Sequence, residues 1–290
     1  MRFADVVNQK DYSLVVQMEP PKGTDVDALL GSALAVRGRV DAVVFSDNPM
    51  AVMRMNPLAP CHMLQHKNME TILTLTARDR NRLAFQGELL AAWALGIRSV
   101  LLRLGRDSAY GDHPLAVPCN DLKREDMLEA VQAFREGKDL AGQPLNAPAA
   151  FHAGVAVEIS DDAQTNRGRA ADLPRLARLG AQFVFLGPTY HTDTVQEFCE
   201  AAAGTGLKVF ASVLLLKSAG MAKYLNNMPG NPKVPDPIID RIRKAPVKPR
   251  ACLEIAAETV LELRNHCNGA VLLPLGWEDK LPELLDLLSR

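Results

Sequence analysis

No C-x-x-C pair occurs among the five cysteines, Cys61, Cys119, Cys199, Cys252 and Cys267. An odd, dispersed set excludes a disulfide framework or a zinc ribbon and reads as reduced thiols. No uninterrupted apolar run reaches the length of about 18 residues needed to span a bilayer. The opening MRFADVVNQKDYSL also lacks an apolar signal core. The expectation is therefore a soluble, cytoplasmic protein with no membrane partner. Excess charge of one sign is missing too: the net charge is −1, and Lys and Arg are scattered along the chain. That argues against nucleic acid as a partner. A G-x-G-x-x-G after the first strand is absent, and with it the fingerprint of a dinucleotide-binding open sheet. No tandem repeat or low-complexity tract stands out.

What is present is a chain of 290 residues, 48% hydrophobic and 23% charged. That length fits one large α/β barrel or two modest domains, and folding at this size buries roughly three quarters of the unfolded surface. Short β-type runs alternate with helix-type stretches. Strands are predicted at 13–20, 41–47, 70–76, 99–105, 151–158, 182–187, 208–216 and 269–275. Helices are predicted at 27–37, 80–95, 124–136, 170–179, 193–203, 251–266 and 278–288, with a short Met-rich helical stretch near 49–55. The strand runs are nearly continuous in apolar residues, as parallel strands covered on both faces require. Eight strand–helix units in this length favour a single (β/α)8 TIM barrel spanning residues 1–290 over an open doubly wound sheet. Residues 137–150 and 226–237 break the rhythm. The second holds four prolines and is predicted to be irregular.

In such a barrel the reacting groups project from the C-terminal ends of the strands. The polar residues there are Glu19; Ser46 and Asp47; Thr74, Thr76, Arg78 and Asp79; Arg103 and Asp107; Glu158; Tyr190 and His191; and Lys217. The set is rich in carboxylates and has no metal-type cluster, which points to acid–base or cofactor chemistry. Glu19 follows an apolar strand and precedes Pro20-Pro21, which stiffen the chain. A carboxyl fixed at an apolar mouth is expected to have a raised pKa suited to a general acid. A salt-bridged or helix-terminal carboxylate is the structural alternative. Asp107, in LGRDSAYGDHP, is either a site residue or a turn former. Asp79 is expected to cap the following helix. His62 and His66 stand i, i+4 on a presumed helix, a metal-like spacing for which a solvated face is the simpler account. Met50, Met53 and Met55 are expected to fill the core.

Several segments together resemble one family. MEPPKGTD at 18–25 resembles the E-x-PPKG opening of methylenetetrahydrofolate reductases of the short bacterial type. TARDRNRLAFQGELLAAWALGIRSVLLRLGRD at 76–107 is similar to that type's T-x-RDRN…GI-x-N-V-L-x-L-x-GD stretch. YGDHPLAVPCNDL at 110–122, NNMPGNPKVPD at 226–236 and GAVLLPLG at 269–276 follow in the same order. The resemblance implies a barrel that holds FAD at its mouth. NAD(P)H or a partner protein supplies electrons, and 5,10-methylenetetrahydrofolate is reduced to 5-methyltetrahydrofolate. It implies Glu19 as the general acid and Asp107 as the residue tuning pterin and flavin. Ser46, Thr74, Thr76, Asp107 and Glu158 are the expected cofactor contacts. Departures accompany it: Leu186-Gly187-Pro188-Thr189-Tyr190-His191 stands where the family reads T-Q-x-x-[FY]-D. Leu176 stands for a phosphate-binding lysine, Arg106 for a glycine and Thr74 for a histidine. These departures keep two alternatives open, a non-redox folate or one-carbon-carrier barrel within a larger complex and a relative acting on another substrate. A homo-oligomer or a redox partner subunit is the expected protein association.

Overall fold

The apolar runs become eight parallel strands: β1 (Ser13–Met18), β2 (Ala42–Phe45), β3 (Thr71–Thr76), β4 (Ser99–Arg103), β5 (His152–Val157), β6 (Phe183–Pro188), β7 (Lys208–Leu214) and β8 (Gly269–Leu273). The structure is a computed structural model and describes residues 2–228 and 230–289. Each strand pairs with its neighbours in chain order and β8 pairs with β1, closing the (β/α)8 barrel predicted from the strand count. The helices are α1 (Phe3–Gln9), α2 (Asp27–Ala35), α3 (Leu58–Gln65), α4 (Arg82–Ala94), α5 (Arg124–Arg135) and α6 (Ala163–Arg178). They continue with α7 (Thr192–Ala202), α8 (Ala219–Asn226), α9 (Asp236–Lys244), α10 (Lys248–Leu263) and α11 (Leu281–Leu288). Among the described residues no helix is long and apolar enough to cross a membrane.

Helix α1 closes the N-terminal end of the barrel. Phe3 is fully buried, and its ring lies 5.6 Å from those of Phe183 and His152 and 5.8 Å from that of Phe210. Edge-on and tilted rings at such separations are favourable beyond their area burial. The sequence reading assigned no element here, because seven residues are too few for periodicity to register. Phe3, Val6 and Val7 nonetheless sit at i, i+3, i+4 and are buried.

Four other expectations are corrected. The Met-rich stretch forms only a single 3-10 turn at Pro49–Ala51, in which Met50 and Ala51 have φ of 56° and 60°. Left-handed backbone cannot propagate a helix of L-residues. Met50 and Met53 are about half exposed at the rim, not core filler. Asp79 does not cap α4; Asn81 does, its side-chain oxygen accepting from the amides of Leu83 and Ala84. The proline-rich segment is helical at both ends, since α8 runs to Asn226 and α9 starts at Asp236 with Pro237 in its first turn. Proline is tolerated there because that N–H has no intrahelical partner.

Candidate functional site

Following the strand pairings around the ring returns to β1 displaced by eight residues. That is the stagger of a barrel of this type, and it sorts inward side chains into layers drawn from alternate strands. Val15, Ile72, Gly154 and Phe210 form one layer, with Val44, Leu101, Phe185 and Val271 above it. Apart from Gly154, all of these belong to the apolar cluster inside the ring. The next layer toward the mouth is Gln17, Thr74, Ala156 and Ser212, where the interior turns polar. Above it come Ser46, Arg103, Gly187 and Leu273, and then Glu19, Thr76, Glu158 and Leu214 at the rim. The structure therefore brings Glu19, Ser46, Thr74, Thr76 and Glu158 to the inner face of one mouth.

The polar side chains of this layer make no hydrogen bond among the described residues. Thr74 is 1% exposed and its hydroxyl makes no hydrogen bond. Gln17 and Ser212 make no side-chain hydrogen bond among the described residues, and Gln17 is only half-buried. Buried polar groups are almost always satisfied, so an unpartnered hydroxyl beneath a barrel mouth, flanked by two further polar side chains, is a candidate contact for a ligand's polar edge. Ser46 and Thr76 differ. The Ser46 hydroxyl donates to the Met18 carbonyl at 3.4 Å, and that of Thr76 to the Asp47 carbonyl at 3.3 Å. Their polar atoms hold loops.

The rim over β1–β4 is tied by charge. Glu19 Oε2 accepts from Arg54 Nη2 at 3.2 Å, so a guanidinium flanks it where the sequence suggested an apolar wall. Asp47, almost fully buried, accepts from the Thr76 amide at 2.9 Å and pairs with Arg80 at 2.5 Å. Arg80 also forks onto both Glu88 oxygens, at 2.6 and 3.0 Å. Burial pushes the Asp47 carboxyl upward, opposed by the Arg80 charge and by the Thr76 donors. Arg78 holds Asp79 through two nitrogens and donates to the Arg106 carbonyl at 2.9 Å, fixing the loop after β4. Asp112 joins three loops: it pairs with Lys22 at 2.5 Å, contacts His113, and accepts from the Met53 amide at 2.9 Å. The hydrogen bond from Lys22, then those from His113 and Met53, holds its carboxyl far below the usual range. Asn48, Met50 and Ala51 all have positive φ, and a side chain at Gly111 would strike the Ala51 carbonyl. Backbone strain of this kind persists only where its surroundings enforce it.

Asp107 is exposed, and it uses its carboxylate to cap the 3-10 turn Ser108–Tyr110, accepting from the Ala109 amide at 2.9 Å. It performs the turn chemistry that was the alternative to a site role.

On the β5–β8 side Glu158 pairs with Arg103 at 2.6 Å, and its carbonyl accepts from Arg169 at 2.8 Å. Gly187 sits against them. A Cβ there would come within 2.9 Å of the Ile159 nitrogen and 3.2 Å of Glu158 Oε2. A glutamine at this position would need the end of β5 to move. Leu176 lies in the core at 1% exposure. Arg169, on the same helix, reaches the rim instead. Tyr190 donates to the Leu214 carbonyl at 3.0 Å, and burial pushes its phenol upward. A cavity of about 160 Å³ opens beside these strands, lined by Ile159, Asp161, Asn166, Thr189, His191 and Lys233 among others. A larger cleft of about 350 Å³, bordered by Cys199, Arg264, His266 and Cys267, lies at the opposite end, where the strands begin. Catalytic groups in this fold sit at the strand C-termini, so the mouth takes precedence over the larger cleft.

Sequence reasoning missed Gln17, Ser212 and Arg54. Gln17 and Ser212 lie in the middle of the predicted runs 13–20 and 208–216, whereas the search covered the C-terminal ends of the runs. Arg54 comes from the loop misread as helix.

The fold and the polar mouth define a (β/α)8-barrel protein with a candidate ligand site at the C-terminal face of its strands. The methylenetetrahydrofolate reductase family model matches residues 2–271, and the chain belongs to that family. Comparison with curated proteins finds no match. A solved structure of an uncharacterized Clostridium thermocellum protein, described as binding two copies of 5-methyl-5,6,7,8-tetrahydrofolic acid, is similar with TM-score 0.64 and 11% identity. That comparison covers 99% of this chain and 97% of that one. DmoA from Hyphomicrobium sulfonivorans is similar at TM-score 0.56 and 9% identity, covering 97% and 89% of the two chains. Tryptophan synthase from M. tuberculosis is similar at TM-score 0.53 and 10% identity, covering 99% and 95%. At these identities the structural likenesses establish the barrel alone.

Proposed function

We propose that this barrel binds a reduced folate at its mouth in cytoplasmic one-carbon metabolism. The reaction is flavin-dependent reduction of 5,10-methylenetetrahydrofolate to 5-methyltetrahydrofolate, or the reverse. The observation that carries the reading is the unpartnered floor of Gln17, Thr74 and Ser212. It offers neutral donors and acceptors, the complement of a pterin's amide and amino edge. Family membership and the folate named for the Clostridium thermocellum protein support the same ligand class.

The rim cations Arg103 and Arg169 fit the phosphates of FAD. When bound, that group supplies the hydride chemistry, with NAD(P)H or a partner subunit as electron source. The protein's own residues orient and protonate. Glu19 Oε1 makes no hydrogen bond among the described residues and is the atom to carry a proton toward a folate nitrogen. Arginine donates only, so Arg54 holds Oε2 and aims the carboxyl. Asp107 stands on the loop after β4, where its carboxylate reaches the ligand if the capped turn opens.

A non-redox folate-binding barrel is the second reading. It is favoured by the ion pairing of both rim carboxylates, Glu19 with Arg54 and Glu158 with Arg103. A visible spectrum of the freshly purified protein, with methyltetrahydrofolate titration and an artificial-acceptor oxidation assay, tests both. The reductase reading expects flavin bands, folate binding and acceptor reduction, with Glu19→Gln folded but nearly inactive. A colourless protein that binds folate without turnover selects the second reading. Failure to bind any reduced folate overturns both.

A further inference from the structure

One pair of chemistry-bearing side chains lies well away from the floor residues. His62 and His66 stand one turn apart at the end of α3, with Nε2 atoms 3.1 Å from each other. Their rings are nearly perpendicular, at 85°, with centroids 4.4 Å apart. His62 Nδ1 lies 3.3 Å from the Leu95 carbonyl. A carbonyl only accepts, so Nδ1 carries the proton and the Nε2 lone pair faces His66. An imidazole oriented by a carbonyl on its far nitrogen is the usual outer support of a metal ligand.

We propose that His62 and His66 form an open two-imidazole site for a borderline divalent transition ion. The spacing is a chelate bite: with metal–nitrogen bonds of about 2.0–2.1 Å, nitrogens this far apart subtend roughly 98° at the metal. That angle lies between octahedral and tetrahedral geometry, and the ion takes the place of the proton that His66 Nε2 donates to His62 Nε2, with His66 then carrying its proton on Nδ1. His66 is the C-cap of α3 and Leu95 that of α4, so the negative ends of two helix dipoles meet at the site. Among the described residues no third His, Cys, Asp or Glu joins them. Water fills the remaining positions, and affinity follows the order Cu²⁺ above Ni²⁺ above Zn²⁺. Occupancy pins the last turn of α3 against the end of α4 and stabilises the folded state by mass action.

The test is calorimetric titration of the untagged, full-length chain with Ni²⁺ and separately with Zn²⁺, with Mg²⁺ as control. One ion per chain is expected, with a rise in thermal midpoint for Ni²⁺ and Zn²⁺ but not for Mg²⁺. His62→Gln and His66→Gln should each weaken binding at least tenfold, because each removes the chelate. Cys119→Ser, which removes the exposed thiol, should leave binding unchanged. In the unmodified protein, Zn²⁺ should shift the NMR ring signals of two of the six histidines. Absence of saturable binding, equal affinity in the histidine variants, or ring shifts at other histidines would overturn the site.

Discussion

Thr74→Val should move stability and ligand affinity in opposite directions. The Thr74 hydroxyl is buried and has no hydrogen-bond partner among the described residues. A buried polar group left unsatisfied costs about 1–3 kcal/mol, and valine removes it while nearly keeping the shape. Taking the low end of that range, the variant should gain about 1 kcal/mol. That corresponds to a rise in Tm of about 2–4 °C for a domain somewhat smaller than this one. The same change deletes one hydrogen bond to a bound ring edge, worth about 0.5–1.5 kcal/mol, or roughly three- to tenfold in Kd. Thermal unfolding and titration with 5-methyltetrahydrofolate read the two effects on one preparation. A variant that melts lower and binds as tightly as the parent would refute the argument, since the hydroxyl would then be serving the fold.

Three further outcomes follow from the same geometry. Asp47→Asn leaves Arg80 buried beside a neutral amide; breaking a buried pair costs about 3–5 kcal/mol, and the surviving Glu88 fork holds the loss near the low end, measurable by urea unfolding. Gly187→Gln should destabilise by about 1–3 kcal/mol through crowding against Ile159 and Glu158, and unchanged stability would mean that β5 yields freely. His152 titrates at about 4 in the fold against 6.5 ordinarily, through burial and then the Arg135 charge. The unfolded chain therefore takes up this proton first as pH falls. Stability from the neutral ring is complete above pH 6.5 and lost progressively toward about pH 4, by up to about 3 kcal/mol. His152→Leu should flatten that part of the acid-unfolding curve, and an unchanged slope would contradict the assignment.

The barrel was legible because parallel strands packed on both faces need near-continuous apolar runs, and eight such runs stand in this sequence at regular spacing. What escaped was decided by contacts between distant segments. Helix α1 is held by Phe3 inserting among Phe183, Phe210 and His152, rings that lie 149 residues or more downstream. The methionine stretch has helical spacing, but Asn48, Met50 and Ala51 take left-handed backbone, and Ala51 packs on Gly111 from another loop. Local propensity loses to such a contact, as tertiary context commonly dictates.

The site was legible in outline for a simpler reason, that the fold itself says which strand ends to search. Glu19, Ser46, Thr74, Thr76 and Glu158 all reach the inner face. Which of them are free for a ligand is a question of depth, and depth depends on register. The eight-residue stagger places Gln17, Thr74, Ala156 and Ser212 at one level, though they come from four strands spread over nearly 200 residues. Gln17 lies in β1 and Glu19 just past its end, on the same face and two layers apart. The deeper residue keeps an unpartnered carboxamide, while the shallower is held by an arginine from the loop after β2. On the proposed reading, ligand recognition and proton transfer fall at different depths of the barrel. A ligand resting on the floor contacts Gln17 while the Glu19–Arg54 pair stays closed at the rim above it, so binding and chemistry should be separable by mutation. Gln17→Leu should raise Kd for the folate, and Arg54→Met should change the pH profile of turnover while leaving Kd nearly unchanged. If both substitutions altered only Kd, the two layers would not have separate tasks.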